Sequence, residues 1–378
     1  VLSSFDDFPI HQTSRPVAQT ATSDINHYDR YFFIGYTRDT RLFFATAMGL
    51  YPNRHVVDAS FSVVADGGTP AARQISVHAS GRAPADRADA NEVGPIRVEV
   101  LEPLNALRVV VDSPEQGLRA DLTFVRRSAP IEEPHFFQQV GLRVTFDYTR
   151  LTQFGGWEGW IEIDGVLHDL APGETLGCRD RSWGVRSVGE RAPMGAPVAD
   201  PQFFWLWAPI NFDTFSTHFD VNELFDGKRW HETGFIAPVA GPDGAAPPEA
   251  MRAVDYDIAW RPGTRTAEWF EVTMTPWTGE PTIVRLEPLF EFHMAGLGYL
   301  HPDWGHGVWK GESEVGGERW DLPVDNPIAP DRLHVQAVVR ATTTGGLGEH
   351  VGIGILEQLA IGRHDPTGLA GLFDGWQP

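Results

Sequence analysis

The sequence predicts an all-β protein built from antiparallel sandwiches or barrels, and three features predict it. Thirty-nine glycines and twenty-nine prolines are spread along the 378 residues and leave few windows long enough for an ordinary helix. Several stretches alternate apolar and polar residues with the period of a half-buried strand. Asp-Gly pairs mark hairpin turns, where glycine tolerates the positive φ that primed turns require.

Taken in chain order, "PIRVEVLEP" and "LRVVVDS" read as strands. "LRADLTFV" then sets Leu118, Ala120, Leu122 and Phe124 against Arg119, Asp121 and Thr123. Turns follow at Asp164-Gly165 and Asp226-Gly227, and further strands at "WFEVTMTPW", "LHVQAVVRA" and "HVGIGILEQLAI". The small-residue and proline stretch 187–202 suits a crossover between two β domains, 1–190 and 191–378. Residues 237–251 read as a long loop inside the second. All thirteen tryptophans lie at or after Trp157, so an aromatic-lined site is expected late in the chain.

A net charge of −21 argues against nucleic acid and anionic membrane surfaces as partners, because all carry the same sign. A neutral or cationic small molecule, or a protein, is expected instead. The single cysteine, Cys178, forms no internal disulfide, and no asparagine opens an N-x-Ser/Thr sequon. With no long apolar run and no basic-then-apolar start, these features give the expectation of a cytoplasmic protein without stable membrane insertion. G-x-S-x-G, the phosphate-binding G-x-x-x-x-G-K-[ST] and a complete G-x-G-x-x-G are all missing, so no nucleotide cofactor is expected. In "HPDWGH", His301, Asp303 and His306 could ligate a metal, but Pro302 and Trp304 favour a turn, and no metal is expected.

The densest chemistry lies in "GCRDRSWGVR", residues 177–186. In an extended chain Arg179, Arg181, Trp183 and Val185 share one face, and Cys178, Asp180, Ser182 and Gly184 the other. Asp180 is expected to anchor the strand through a charge-assisted bond to Arg186 or a distant arginine. Arg181 and Trp183 either line a pocket or close a barrel end. In "FFWLWAPINFD" the same parity groups Phe203, Trp205, Trp207, Pro209, Asn211 and Asp213. An acid beside an aromatic wall is partly desolvated and can hold a proton near neutrality, while the rings stabilise a carbocation. The competing reading has Asp213 cap the turn before Thr214. Near the C-terminus Glu357 shares a face with Val351, Ile353, Ile355, Leu359 and Ile361, and the arginines of 179–186 are its candidate partners. His350 and Gln358 lie opposite with Gly352 and Gly354, which either leave room for a ligand or pack against backbone.

"RDRSWGVR", with "GWEGWIEIDG" before it and "GYLHPDWGHGVWKGE" and "GIGILEQLAIGRHD" after it, resembles the two-domain lipocalin-like superfamily of the carotenoid 1,2-hydratases, also called hydroxyneurosporene synthases. The matching blocks run from about residue 92 to about 365. The resemblance implies two successive calycin-type barrels or half-barrels with a substrate cavity near their junction. It also implies water addition to an isoprenoid double bond by a carboxylic acid and aromatic rings, without metal or organic cofactor. The family's catalytic histidine and tryptophan fall on Arg181 and Trp183, and its tyrosine and aspartic acid on Asn211 and Asp213. Arginine cannot shuttle a proton near neutral pH, so Arg181 departs from the family pattern. It suits an oxyanion, an enolate or a carboxylate instead.

The function expected is therefore a cofactor-independent enzyme on an isoprenoid-like or polyketide-like molecule, a hydratase, dehydratase or cyclase. Asp213, Trp183 and Arg181 would be catalytic, and Trp205, Trp207, Asn211, His350 and Gln358 substrate-binding. Arg179, Asp180, Arg186 and Glu357 would form structural ion pairs. The alternatives are a non-catalytic carrier of an apolar ligand and a pericyclase acting by shape and hydrogen bonding.

Overall fold

A computed structural model describes residues 4–7, 9–190, 196, 201–241 and 244–378. Most of the expected linker, 191–195 and 197–200, lies outside the described residues. The chain runs through β1 (His27–Thr37), β2 (Phe43–Tyr51), β3 (Val56–Ala65), β4 (Arg73–Arg82), β5 (Glu92–Val93), β6 (Ile96–Glu102) and β7 (Ala106–Ser113). It continues with β8 (Leu118–Arg126), β9 (Ile131–Glu132), β10 (Phe136–Val140), β11 (Arg143–Ile163), β12 (Val166–Leu170) and β13 (Thr175–Arg186). The later strands are β14 (Phe203–Asn211), β15 (Phe215–Glu223), β16 (Arg229–Pro238), β17 (Glu249–Ala250), β18 (Ala253–Trp260) and β19 (Ala267–Thr275). After them come β20 (Thr282–His293), β21 (Ser313–Asp321), β22 (Val335–Gly345) and β23 (His350–Ile361).

All pairings between these strands are antiparallel, and the only helical elements among the described residues are short 3-10 turns. One sheet has the order β21-β4-β3-β2-β1-β13-β11-β8-β7-β6-β5. Its two ends curl together, bringing Gly94 beside Ala79 of β4 and Val315 of β21. The second has the order β17-β16-β15-β14-β23-β22-β20-β19-β18, and Arg229 of β16 closes it by donating to Asp255 and to the Val254 carbonyl of β18. Strand β21 is drawn from the later part of the sequence but pairs with β4, so the first barrel is completed by the second half of the chain.

The expected strands form where alternation predicts them. Leu118, Ala120, Leu122 and Phe124 of β8 are buried in the first barrel. At the β11–β12 hairpin, Asp164 (φ 50°) and Gly165 (φ 81°) make the two-residue turn between Ile163 and Val166. Three large apolar clusters, and a small one of Tyr28, Tyr51, Val56 and Val188, divide the interior. Phe33, Phe44, Phe61, Phe124 and Trp157 fill the first barrel; Phe204, Phe219, Trp260 and Phe270 fill the second. Phe32, Phe43, Trp207, Phe292 and Ile353 form a third between the two sheets. Because successive strand residues point to opposite faces, Phe33 enters the first barrel while Phe32 and Ile34 enter this seam. Among the described residues no helix is long and apolar enough to cross a membrane.

Candidate functional site between the two sheets

The seam face of the first sheet is a grid set by strand register. Across β1, β13 and β11 its rows are Ile34, Cys178 and Phe154; then Phe32, Asp180 and Thr152; then Arg30, Ser182 and Arg150; then Tyr28, Gly184 and Tyr148. Apolar rows thus give way to an acid, then to two arginines, then to two tyrosines. The facing wall carries Trp205 and Trp207 on β14, His218 and Asp220 on β15, and Glu357 on β23, with Trp207 opposite both Asp220 and Glu357.

A buried ion cluster joins the walls. Arg150 donates to Glu133 through Nε (2.8 Å) and Nη2 (2.6 Å), and Nη2 also reaches Asp220 Oδ2. Thr152 donates to Glu133 at 2.6 Å, and Trp205 Nε1 to Asp220 Oδ1 at 3.2 Å. Burial pushes the Glu133 carboxyl up, but Arg150 and His218 outweigh it and hold Glu133 well below the usual carboxylate range. Asp220 takes a single bond from Arg150, and burial together with the neighbouring Glu133 charge raises it. The Arg150 guanidinium lies 4.8 Å from the Phe136 ring centroid, 5.7 Å from that of Trp205 and 5.5 Å from that of Trp207.

Aromatic contacts close into a belt. Trp205 meets His334 edge-on (6.0 Å), and His334 meets Tyr299 (5.0 Å). The Arg186 guanidinium lies over both Tyr299 (5.8 Å) and Tyr28 (4.7 Å). Tyr28 meets Tyr148 (6.1 Å), Tyr148 stacks on Phe136 (4.4 Å), and Arg150 spans from Phe136 back to Trp205. Phe136 also stacks on His231 at 3.6 Å, whose imidazole burial lowers to about 3, so it is uncharged at neutral pH.

Asp180 sits on the same wall, and its carboxylate makes no hydrogen bond or ion pair with any described residue. It is surrounded by protein yet only partly covered, as are Arg186 and Tyr148 of the belt. Their partial exposure means that solvent reaches into this part of the seam, a recess bordered by Asp180, Arg186 and Tyr148. Burial raises the Asp180 carboxyl to about 7, against the pull of Arg150, with the Glu133 charge adding to the rise. A carboxylic acid that holds its proton near neutrality can donate it to a ligand.

Several expectations are corrected here. Asp213 lies two residues beyond the end of β14, where strand parity no longer applies; its side chain is 77% exposed and pairs with Arg38 at 3.2 Å. Trp183 is 41% exposed on the opposite face of β13 from Asp180. Arg181 shares that face, pairs with Asp29 and stacks on Tyr31 at 4.1 Å rather than on Trp183. Trp183, Trp205 and Asp213 therefore do not converge, and of the expected lining only Trp205 and Trp207 face the seam, Trp207 buried in its apolar cluster and Trp205 packed against it. Asn211 is instead a bolt between the sheets: it donates to Tyr36 Oη and the Gly177 carbonyl and accepts from Arg127 and Ser216. Gln358 faces the second barrel, where its Oε1 accepts from the Ala267 amide, and His350 bonds the Leu347 carbonyl. The space beside Gly352 is taken by the Phe212 ring, 2.6 Å from where a Cβ would lie.

The expected ion pairs also differ. Asp180 and Arg186 have no ion pair with a described residue, and Arg179 bonds the neutral Gln153 at 2.9 Å. Glu357 is held by His334 (2.7 Å) and Gln336 (2.6 Å), not by an arginine. His301 and His306 part company: His306 Nε2 donates to the Leu297 carbonyl while Nδ1 accepts from Arg30, and His301 reaches Glu318.

Two groups bring possible metal-ligand atoms together, Glu133 with Asp220 and His231, and His78 with His301 and Glu318. In the first, the Arg150 guanidinium already bridges the two carboxylates. In the second, His301 Nδ1 accepts the Asp303 and Trp304 amides, so its proton lies on Nε2, which faces Glu318 as a donor and not as a lone pair. Neither chemistry suits a cation.

The sequence profile of a family of unknown function, DUF8625, matches residues 2–370. The chain belongs to that family. No curated protein matches the sequence. Among solved structures, a Nitrosomonas europaea protein provisionally named AttH is similar, with 15% identity and a TM-score of 0.54 over 93% of this chain and 97% of that one. Kievitone hydratase from Nectria haematococca is similar with 10% identity and a TM-score of 0.52, over 95% of this chain and 96% of that one. At these identities the likeness is one of fold, and the fold is the two-barrel, lipocalin-like one.

Residues that sequence reasoning missed are Glu133, Arg150, Asp220, Tyr28, Tyr148 and Tyr299. One signal was readable: in "FSTHFDVNE", Ser216, His218, Asp220 and Asn222 alternate with Phe215, Thr217, Phe219 and Val221, a strand with one polar face.

Proposed function

We propose that the protein is a cofactor-independent enzyme that protonates an apolar small molecule in the recess between its sheets, as a hydratase, its reverse, or a cyclase. The observation that carries this reading is Asp180, an enclosed acid with no hydrogen-bond or ion-pair partner among the described residues, beside an aromatic belt. In the hydration direction the Asp180 proton passes to one alkene carbon and the π pair forms the new C–H bond. The cation left on the other carbon is met by water, whose surplus proton returns to the Asp180 carboxylate. The indoles of Trp205 and Trp207 stand over the Glu133–Arg150–Asp220 cluster, where two carboxylates share one guanidinium. With both carboxylates ionised, that end of the recess carries excess negative charge, and rings over such a site favour a developing cation. Kievitone hydratase, which shares the fold, is a hydratase by name, and this supports the same class of chemistry here.

The test is turnover of a panel of prenyl alkenes, read by mass spectrometry as gain of one water, in the wild type and in Asp180→Asn. Loss of turnover with retained alkene binding is expected. Turnover that survives the substitution would remove Asp180 from the mechanism, and a wild type that only binds would leave a carrier.

A further inference from the structure

The recess has a second unpartnered group, and it is a cation. The Arg186 guanidinium makes no hydrogen bond or ion pair with a described residue, its Nε is sealed from solvent, and it lies between the rings of Tyr28 and Tyr299. The Tyr28 hydroxyl beside it is also sealed from solvent, with the Ser182 hydroxyl as its side-chain neighbour. Arg30, on the same wall, is buried and gives its Nη1 bond to His306 Nδ1 at 2.6 Å, a ring that burial and Arg30 itself keep uncharged. The carboxylates of Asp58 and Asp180 both feel the Arg186 charge without bonding to it; the Asp58 oxygens are taken by Tyr51 Oη and the Gly307 amide.

A buried guanidinium without a counter-ion is costly, and its planar fork matches a carboxylate. In a chain of net charge −21 there are acids enough to pair with it, yet none of the described ones does. The two ends of the recess thus differ: arginines and phenols at one, indoles over a pair of carboxylates at the other. We propose that the substrate carries a carboxylate head that docks on Arg186 between Tyr28 and Tyr299, with its alkenyl chain running past Asp180 toward Trp205 and Trp207. This rests on the reading of the recess as the substrate site and adds the chemical class of the substrate.

Geranate and geraniol share one skeleton and differ in the head, and they serve as probes in titrations of the full chain by calorimetry and tryptophan fluorescence. Geranate is expected to bind about ten-fold or more tightly than geraniol, the worth of a charge-assisted pair. Arg186→Gln should erase that preference, and Arg186→Lys should restore part of it. Equal affinities in the wild type, binding of neither compound, or a preference unchanged in Arg186→Gln would overturn the proposal. The wild-type comparison and its salt dependence need no variant, so a misfolded Arg186→Gln does not shield the idea. Asp180→Asn separates the two readings, because it should abolish water addition and leave the preference for geranate intact.

Discussion

Replacing Arg150 by methionine should reveal how much of the junction rests on one guanidinium. Arg150 is 5% exposed, Glu133 3% and Asp220 fully buried, and the guanidinium gives Glu133 two bonds and Asp220 one. Methionine fills much of the volume but leaves two buried carboxylates without their cation, a change that costs about 3–5 kcal/mol when one partner of a buried pair is removed. The sign with pH follows from Glu133. In the wild type its carboxyl is held low, so its contribution is present above the unfolded value of 4.5 and lost as pH falls toward the depressed folded value. In the variant, only His218 still opposes burial, so the folded state takes up a proton more readily and acid favours it. The gap between the two proteins should therefore be about 4 kcal/mol at pH 7 and clearly smaller at pH 5, measured by urea unfolding. Glu133→Gln added to the variant should recover part of the loss at pH 7. A gap below about 1 kcal/mol, or one that is the same at both pH values, would refute the cluster as described.

Asp180→Asn should stabilise the protein at high pH. A carboxyl raised from 3.8 to about 7 stabilises the fold fully below 3.8, and this is lost as pH rises through 7. Above pH 7 the variant should gain up to about 4 kcal/mol over the wild type, and a pH-independent difference in unfolding curves would contradict this. Asn211→Ala should cost about 3 kcal/mol in thermal unfolding, because Tyr36, Gly177, Arg127 and Ser216 all lose a bond to it at the junction. Asp213→Asn and Trp183→Ala should change stability by no more than about 0.5 kcal/mol, as both side chains are exposed; a larger effect, or weaker alkene binding, would reopen their place at the site.

Strand period carried the fold, because alternation is local and each strand's partners read the same two-residue repeat. It also divided 177–186 into two faces and grouped Trp205 with Trp207. What it could not supply was which face meets the other sheet. Arg181 and Trp183 offered the richer chemistry, but the seam lies on the Asp180 side, since Phe32 and Thr152 opposite it face the second sheet. Parity also fails past a strand end, which is why Asp213 turned outward while Asp220, one strand later, became the buried acid. Glu133 and Arg150 are 17 residues apart, on separate segments, and only the pairing of β9 with β11 makes them neighbours.

The most direct test is the ionisation of Asp180 itself, followed by carbon-13 NMR of the aspartate carboxyls, with Asp180→Asn assigning the signal. A midpoint near 7, far above that of an aspartate in water, is expected. A midpoint near 3.8, where an aspartate in water titrates, would mean that the recess holds a carboxylate with no proton to give, and proton-initiated chemistry there would be ruled out.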